Sequence, residues 1–200
     1  MVYSSGPVTL EAWVRWDGGT GLQAIIHNGG TSSFGYGLFT QGGFLKVLNA
    51  GIRWSNCTNK PLVQGVWAHV ALARNNSNLH VYKDGVECSL TNASVTNGPS
   101  PNSSLTIGNT PEGDAGLIGA IDEVRVWHVM RTAQEIASAR TQWLYPNTPG
   151  LEAYYRMDEG QGTVIANATS SEYPMILQGT VWSTSGALLA TMGPPPQIPK

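Results

Sequence analysis

The chain has 200 residues, a net charge of −2, only 12 % charged residues and 24 glycines. Charged residues at about half their usual share, without a basic run, exclude an electrostatic nucleic-acid footprint. No apolar run reaches the roughly 20 residues that a bilayer-spanning helix needs. This length suits one all-β domain, and the glycines suit short strands joined by tight turns. No secretory signal is visible, although residue 1 reads equally as the start of an excised domain.

Alternation of apolar and polar residues places the first strand at Thr9–Trp16. Leu10, Ala12, Val14 and Trp16 form its core face, and Glu11, Trp13 and Arg15 are expected on an exposed face. Asp17-Gly18-Gly19 ends it. Leu22–His27 reads as a short strand and Asn28–Ser33 as a polar loop. Tyr36–Thr40 and Phe44–Leu48 flank Gln41-Gly42-Gly43, a hairpin signal. Gly51–Cys57 is a further strand carrying Trp54. Trp67–Ala73 and Leu79–Lys83 form a hairpin, and the Asp84-Gly85 turn leads to Glu87–Leu90. Thr91–Ser104 is a long Asn, Ser and Pro-rich connection, and Leu105–Gly108 is a strand.

A long strand then runs from Ala120 to His128. Strict alternation puts Ala120, Asp122, Val124, Val126 and His128 on the expected core face, with Ile121, Glu123, Arg125 and Trp127 opposite. Thr132 and Glu135 form a capping-box pattern that opens a helix over 133–142, with Arg140 near its C-terminal end. Leu151–Asp158 is the last long strand. Residues 1–191 read as one sandwich, with 151–183 supplying closing strands so that no edge stays unprotected. Residues 192–200 read as a Pro-rich tail or linker.

Several of these segments, in order, resemble the laminin G-like domains of the concanavalin A-like lectin/glucanase superfamily, to which pentraxins are related. Val8–Val14 resembles the family's early strand and Trp67-Ala68-His69-Val70-Ala71 its "W-x-H-V-A" strand. Leu79–Gly85 resembles its "L-x-L-Y-V-D-G" hairpin, Leu105–Gly108 its "L-x-I-G" strand, and Gly119–Trp127 with Met130–Ile136 its signature strand and helix. The resemblance covers residues 8–140. Tyr154–Gly162 is similar to a segment that flanks such domains, although in many members that segment stands before the sandwich. The resemblance implies an antiparallel jelly-roll β-sandwich with one short helix. Its implied function is a non-catalytic, lectin-like carbohydrate-recognition module, with a protein-binding or structural adhesion domain as the alternative.

The chemistry of the residues bears on that expectation. Hydrolases of the superfamily carry their acids on one strand as E-x-D-x-x-E, and this sequence has no such run. Adjacent acids such as Asp122-Glu123 point to opposite faces of a regular strand, so no pair of carboxylates at hydrolase spacing is expected. Cys57 and Cys88 read as a disulfide, the alternative being two separate buried thiols. Sequons stand at Asn56, Asn75, Asn92, Asn102 and Asn167. The loop Asn109–Asp114 resembles a shortened pentraxin calcium loop, which makes Glu112 and Asp114, with Asp122 besides, the candidate calcium ligands. The pentraxin "H-x-C" is His69-Val70-Ala71 here.

Sugar sites pair an aromatic platform with polar groups that fix orientation. Trp13, Trp67 and Trp127 lie in strand motifs and read as structural. Trp54, Tyr36 and Trp182, with Trp16, lie nearer loops or strand ends and are the candidate platforms; His27, Asn28 and Asn109 are the candidate polar contacts. The expected partner is a glycan or glycoconjugate, with a protein ligand as the alternative and no nucleic acid. The expected location is extracellular or cell surface.

Overall fold

The computed structural model describes residues 6–30, 33–49, 53–93, 95, 104–184 and 186. The 192–200 tail, the Asn102 sequon and most of the 91–104 connection lie outside them.

Thirteen strands and one helix follow in order: β1 (Val8–Trp16), β2 (Leu22–Gly30), β3 (Ser33–Gln41), β4 (Phe44–Asn49), β5 (Arg53–Asn56), β6 (Trp67–Arg74), β7 (Leu79–Lys83), β8 (Val86–Glu87), β9 (Leu105–Ile107), β10 (Gly119–Trp127), α1 (Ala133–Ala139), β11 (Leu151–Tyr155), β12 (Val164–Ile165) and β13 (Met175–Ile176). Six strands form one antiparallel sheet in the order β11-β10-β1-β6-β7-β8, and five form a second in the order β5-β4-β3-β2-β9. The β12–β13 pair is a separate two-stranded sheet whose Ile165 and Met175 pack against the same core. The inner faces of the two large sheets meet in one core. Leu10, Val14, Val70, Val81 and Val126 come from the first, and Ile26, Leu38, Leu45 and Val47 from the second. This is a β-sandwich whose strands alternate inward and outward side chains except where a bulge shifts the register. β11 is an edge strand of the six-stranded sheet, and its Ala153 and Tyr155 enter the same core.

Four local expectations are corrected. β2 continues to Gly30, because Asn28 still pairs with Tyr36 across the sheet; the polar stretch after His27 is strand, not loop. The helix ends at Ala139, with Arg140 as its C-cap. Its start is as expected, with both halves of the Thr132–Glu135 capping box formed.

The third correction concerns β10. Glu11 pairs with Arg125 but Trp13 pairs with Asp122, so Glu123 and Val124 together oppose Ala12 in a β-bulge. Glu123 adopts φ +53°, and its amide donates to Asp122 Oδ1 at 2.9 Å. The extra residue shifts the phase of the strand. Ile121, paired with Val14, therefore packs against the inner core alongside Val124 and Val126. Asp122, paired with Trp13, lies on the outer face.

The fourth concerns the outer face of the six-stranded sheet, which is covered rather than exposed. α1 and its flanking chain lie on it, and Glu11 is fully buried. Arg131 Nη1 donates to Glu11 Oε1 at 2.7 Å, and the Arg131 guanidinium stacks 4.0 Å from the Trp127 ring centre. Arg125 donates to Glu123 Oε2 at 2.9 Å, to Ala139 O at 2.8 Å and to Gln142 O at 2.8 Å. Trp13 Nε1 donates to Arg140 O at 2.9 Å. His69 Nε2 lies 3.2 Å from Glu11 Oε2, a close approach rather than a directed hydrogen bond. Burial raises the Glu11 carboxyl, but His69, Arg131 and Arg125 outweigh it and hold the group below its ordinary value. The signature strand and helix are thus joined by paired charges under the helix, which fixes α1 to one sheet and leaves the other sheet to present a site.

Candidate open face of the five-stranded sheet

The outer face of the five-stranded sheet is divided in two. Over its β2–β9 side folds the loop that follows β9. Ala115 O accepts from Ala24 N at 2.7 Å, and Ala115 packs with Ala24, Phe39 and Leu48. Asn109 Oδ1 holds that loop closed by accepting from Thr110 N at 2.9 Å and Ala115 N at 3.1 Å. Thr110 Oγ1 donates to Asp114 Oδ1 at 2.6 Å.

Among the described residues the β4–β5 side stays open. A hollow of about 330 Å³ is lined by Gln41, Phe44, Lys46, Asn56, Cys57, Thr58 and Thr91. Cross-strand register explains the grouping. Gln41 pairs with Phe44, and Lys46 with both Phe39 and Asn56, so one row of outward side chains crosses three strands. Phe44 is 45 % exposed. Lys46 Nζ donates to Gln41 Oε1 at 2.8 Å and lies 5.2 Å from the centre of the half-buried Trp54 ring. Trp54 in turn packs edge-on against Phe39 with ring centres 5.0 Å apart.

The floor of the hollow is held by a second segment. Cys57 and Cys88 form a disulfide with Cα atoms 5.4 Å apart. Beside it, Asn56 N donates to Thr91 Oγ1 at 3.0 Å, Thr91 N to Asn56 O at 3.0 Å, and Thr58 N to Ser89 O at 2.9 Å. The edge strand β5 is thereby zipped to residues 89–91, so the hollow sits on a rigid base. Its lining offers an aromatic face, two primary amides, two hydroxyls and one ammonium, and no carboxylate. Aromatic faces and amides of this kind are the groups that stack on and hydrogen-bond to polyhydroxylated molecules. The lining lacks the paired acids that glycoside hydrolysis uses.

Of the residues expected from sequence, only Trp54 belongs to this open face. Tyr36, His27 and Asn28 are fully buried and offer no surface. Tyr36 and Asn28 share the inner face, where Asn28 Nδ2 donates to the Tyr36 hydroxyl at 3.0 Å. His27 lies on the outer face, tilted against Phe39, and burial pushes its pKa down to about 4 against the opposing pull of Glu112 and Asp114. Asn109 is spent on closing its loop. Trp16 packs against the inner core. Trp182 does so too, and its Nε1 donates to Gly162 O at 2.8 Å.

Glu112 and Asp114 share the loop after β9, whereas Asp122 lies on the six-stranded sheet. Among the described residues no group of three His, Cys, Asp or Glu side chains is placed to hold a metal ion. Sequence reasoning missed Phe44, Lys46, Gln41, Thr58 and Thr91. The signal was present in the outward set of the 44–48 strand, where an aromatic and a cation follow the hairpin turn.

A family model described as the concanavalin A-like lectin/glucanases superfamily, of laminin G-like type, matches residues 2–137. The chain belongs to this superfamily. No curated protein matches it. Solved structures of similar shape extend the comparison. A Bacteroides ovatus ATCC 8483 protein, provisionally described as carbohydrate binding, is 25 % identical with a TM-score of 0.72 over 93 % of this chain. This chain spans only 56 % of that one. Domain 4 of the extracellular GH43 arabinanase AbnA from Geobacillus stearothermophilus, in complex with arabinotriose, is 22 % identical with a TM-score of 0.55, over 69 % of this chain and 68 % of that one. The SAP-like pentraxin of Limulus polyphemus is 12 % identical with a TM-score of 0.55, over 68 % and 70 %. At these identities the last two show the shared superfamily fold.

Proposed function

We propose that this chain is a non-catalytic carbohydrate-recognition module that holds a glycan in the hollow between Phe44, Lys46 and Asn56, with Trp54 at its border. The observation that carries the reading is the aromatic and amide lining of the one open half of the five-stranded sheet, on a base fixed by the Cys57–Cys88 disulfide. The Bacteroides and arabinanase structures support it, the first by its provisional description and the second by its bound arabinotriose. The disulfide suits an extracellular or cell-surface setting. Residues 1–191 act as one recognition unit in this reading.

A glycan array, run with calcium and with chelator, tests the proposal. The expected result is binding to a defined oligosaccharide in both conditions, lost in Phe44→Ala and Trp54→Ala. Wild-type binding retained in both folded variants overturns the assignment to this face. Binding abolished by chelator alone shifts it to the Glu112–Asp114 loop.

A second reading, protein binding, is favoured by Val63, Val66 and Ile118. They are 58 %, 53 % and 55 % exposed and all border the Trp16–Asp17 end of the sandwich through backbone hydrogen bonds of their own segments.

A further inference from the structure

Arg74 closes β6 and pairs with Val8 on one side and Leu79 on the other. Both partners are core residues, so the Arg74 side chain shares the inner face and enters the sandwich at its end. It is fully buried. Its Nη2 donates to Asn75 O at 3.1 Å, and the guanidinium lies 5.7 Å from the Tyr36 ring centre. Among the described residues Nε and Nη1 have no hydrogen-bond partner. All 13 acidic residues of the chain are among the described residues, and none of them pairs with Arg74 within 4.0 Å. A guanidinium stays protonated even where burial lowers its pKa, as it does here. Among the described residues a full positive charge is thus buried with no counter-charge against it, which is costly in a stable interior.

A second side chain on the same face is orphaned too. Asn49 follows Leu48, which faces outward opposite Gly37, so Asn49 lies on the Tyr36 side of the sheet. It is 1 % exposed, and both its amide nitrogen and oxygen lack partners. The Tyr36 hydroxyl accepts from Asn28 Nδ2 at 3.0 Å, which leaves its own proton to donate. Three donors of different kinds therefore belong to one interior end, where no described carboxylate pairs with Arg74.

We infer that this end of the sandwich is an anion site built on Arg74, with Asn49 and Tyr36 as further donors, and that it takes a small inorganic anion of chloride size. Val8 and Leu79, which flank Arg74 across the sheet, are 1 % and 3 % exposed, which suits a small ligand. The site is separate from the outer hollow, and the inference stands independently of glycan binding.

Thermal melts in sodium chloride, sodium bromide and sodium gluconate at equal ionic strength test it, together with anomalous diffraction from bromide-soaked crystals. The expected result is a saturable rise in Tm with either halide over gluconate, absent in Arg74→Met, and an anomalous peak within hydrogen-bonding reach of Arg74. Superposing melts overturn the proposal. So does ordered water alone beside Arg74, or a bromide peak without any halide dependence of Tm, which would be binding at crystal concentration only. If Arg74→Met does not fold, the two wild-type measurements decide.

Discussion

Arg131 Nη1 and Glu11 Oε1 meet at 2.7 Å although 120 residues separate them in the chain. The contact ties the segment that opens α1 to the first strand, and both side chains are buried or nearly so. Removing one partner strands the other charge in a dry layer. Glu11→Gln is therefore expected to lower stability by about 3 to 5 kcal/mol, measured by urea unfolding. The folded-state pKa of Glu11 is held below its ordinary value. Its contribution is then complete above the unfolded carboxylate pKa and is lost as pH falls through the lower folded one. A variant as stable as wild type at neutral pH would contradict this role.

His27 makes the opposite use of burial. Its folded pKa is about 4 against an ordinary 6.5, because desolvation disfavours the charged ring. The unfolded chain takes up a proton below pH 6.5 that the folded chain refuses until about pH 4, so stability falls across that window as pH drops. The full shift corresponds to roughly 3 kcal/mol. Both ring nitrogens lack partners, so His27→Leu forfeits no hydrogen bond and is expected to flatten the pH dependence between 6.5 and 4. Parallel pH series of thermal melts check this; identical slopes in the two proteins would refute it.

The disulfide closes a loop across a sequence separation of 31. Chain-entropy arguments put its contribution at about 3 to 4 kcal/mol. Because Cys57 lines the hollow and its neighbours zip β5 to residues 89–91, reduction is expected to weaken ligand binding at temperatures where the protein remains folded. Equal affinity with and without reductant, with reduction verified by thiol titration, would separate the bridge from the site.

Gly85 turns the β7–β8 hairpin at φ +79°, and a Cβ there would meet Ala137 Cβ at 2.8 Å and its Cα at 2.9 Å. Gly85→Ala combines a left-handed backbone with a clash against α1. The expected cost is about 2 to 4 kcal/mol, the sum of backbone and overpacking penalties. Denaturant unfolding measures it, and a cost below 1 kcal/mol would show that the helix yields freely.

These elements also show how far the sequence was readable. The hairpin at Asp84-Gly85, the capping box at Thr132 and the inward set Leu10, Ala12, Val14 follow from local pattern, because turn chemistry and period-two alternation are local properties. The bulge at Glu123 is not local. Nothing in Ile121–Arg125 announces the extra residue, since Ala12 on the neighbouring strand defines it. The burial of Glu11 escaped notice for a related reason: a polar residue on an alternating strand reads as solvent-facing until a helix 120 residues later covers it. Tyr36 and Asn28 were misplaced because they satisfy each other inside the sandwich. Phe44 and Lys46 share the outward set of β4, but their partners Gln41, Asn56 and Thr91 come from other segments, so no motif along the chain gathers the site.

The central claim is that the open half of the five-stranded sheet holds the ligand. Isothermal titration with the best oligosaccharide from the array tests it most directly, comparing wild type with Phe44→Ala, Trp54→Ala and, as a control outside the hollow, Asp114→Ala. The account predicts at least about a tenfold loss of affinity, or 1.4 kcal/mol, in each aromatic variant and wild-type affinity in the control. Unchanged affinity in both aromatic variants, or a loss confined to Asp114→Ala, would contradict it.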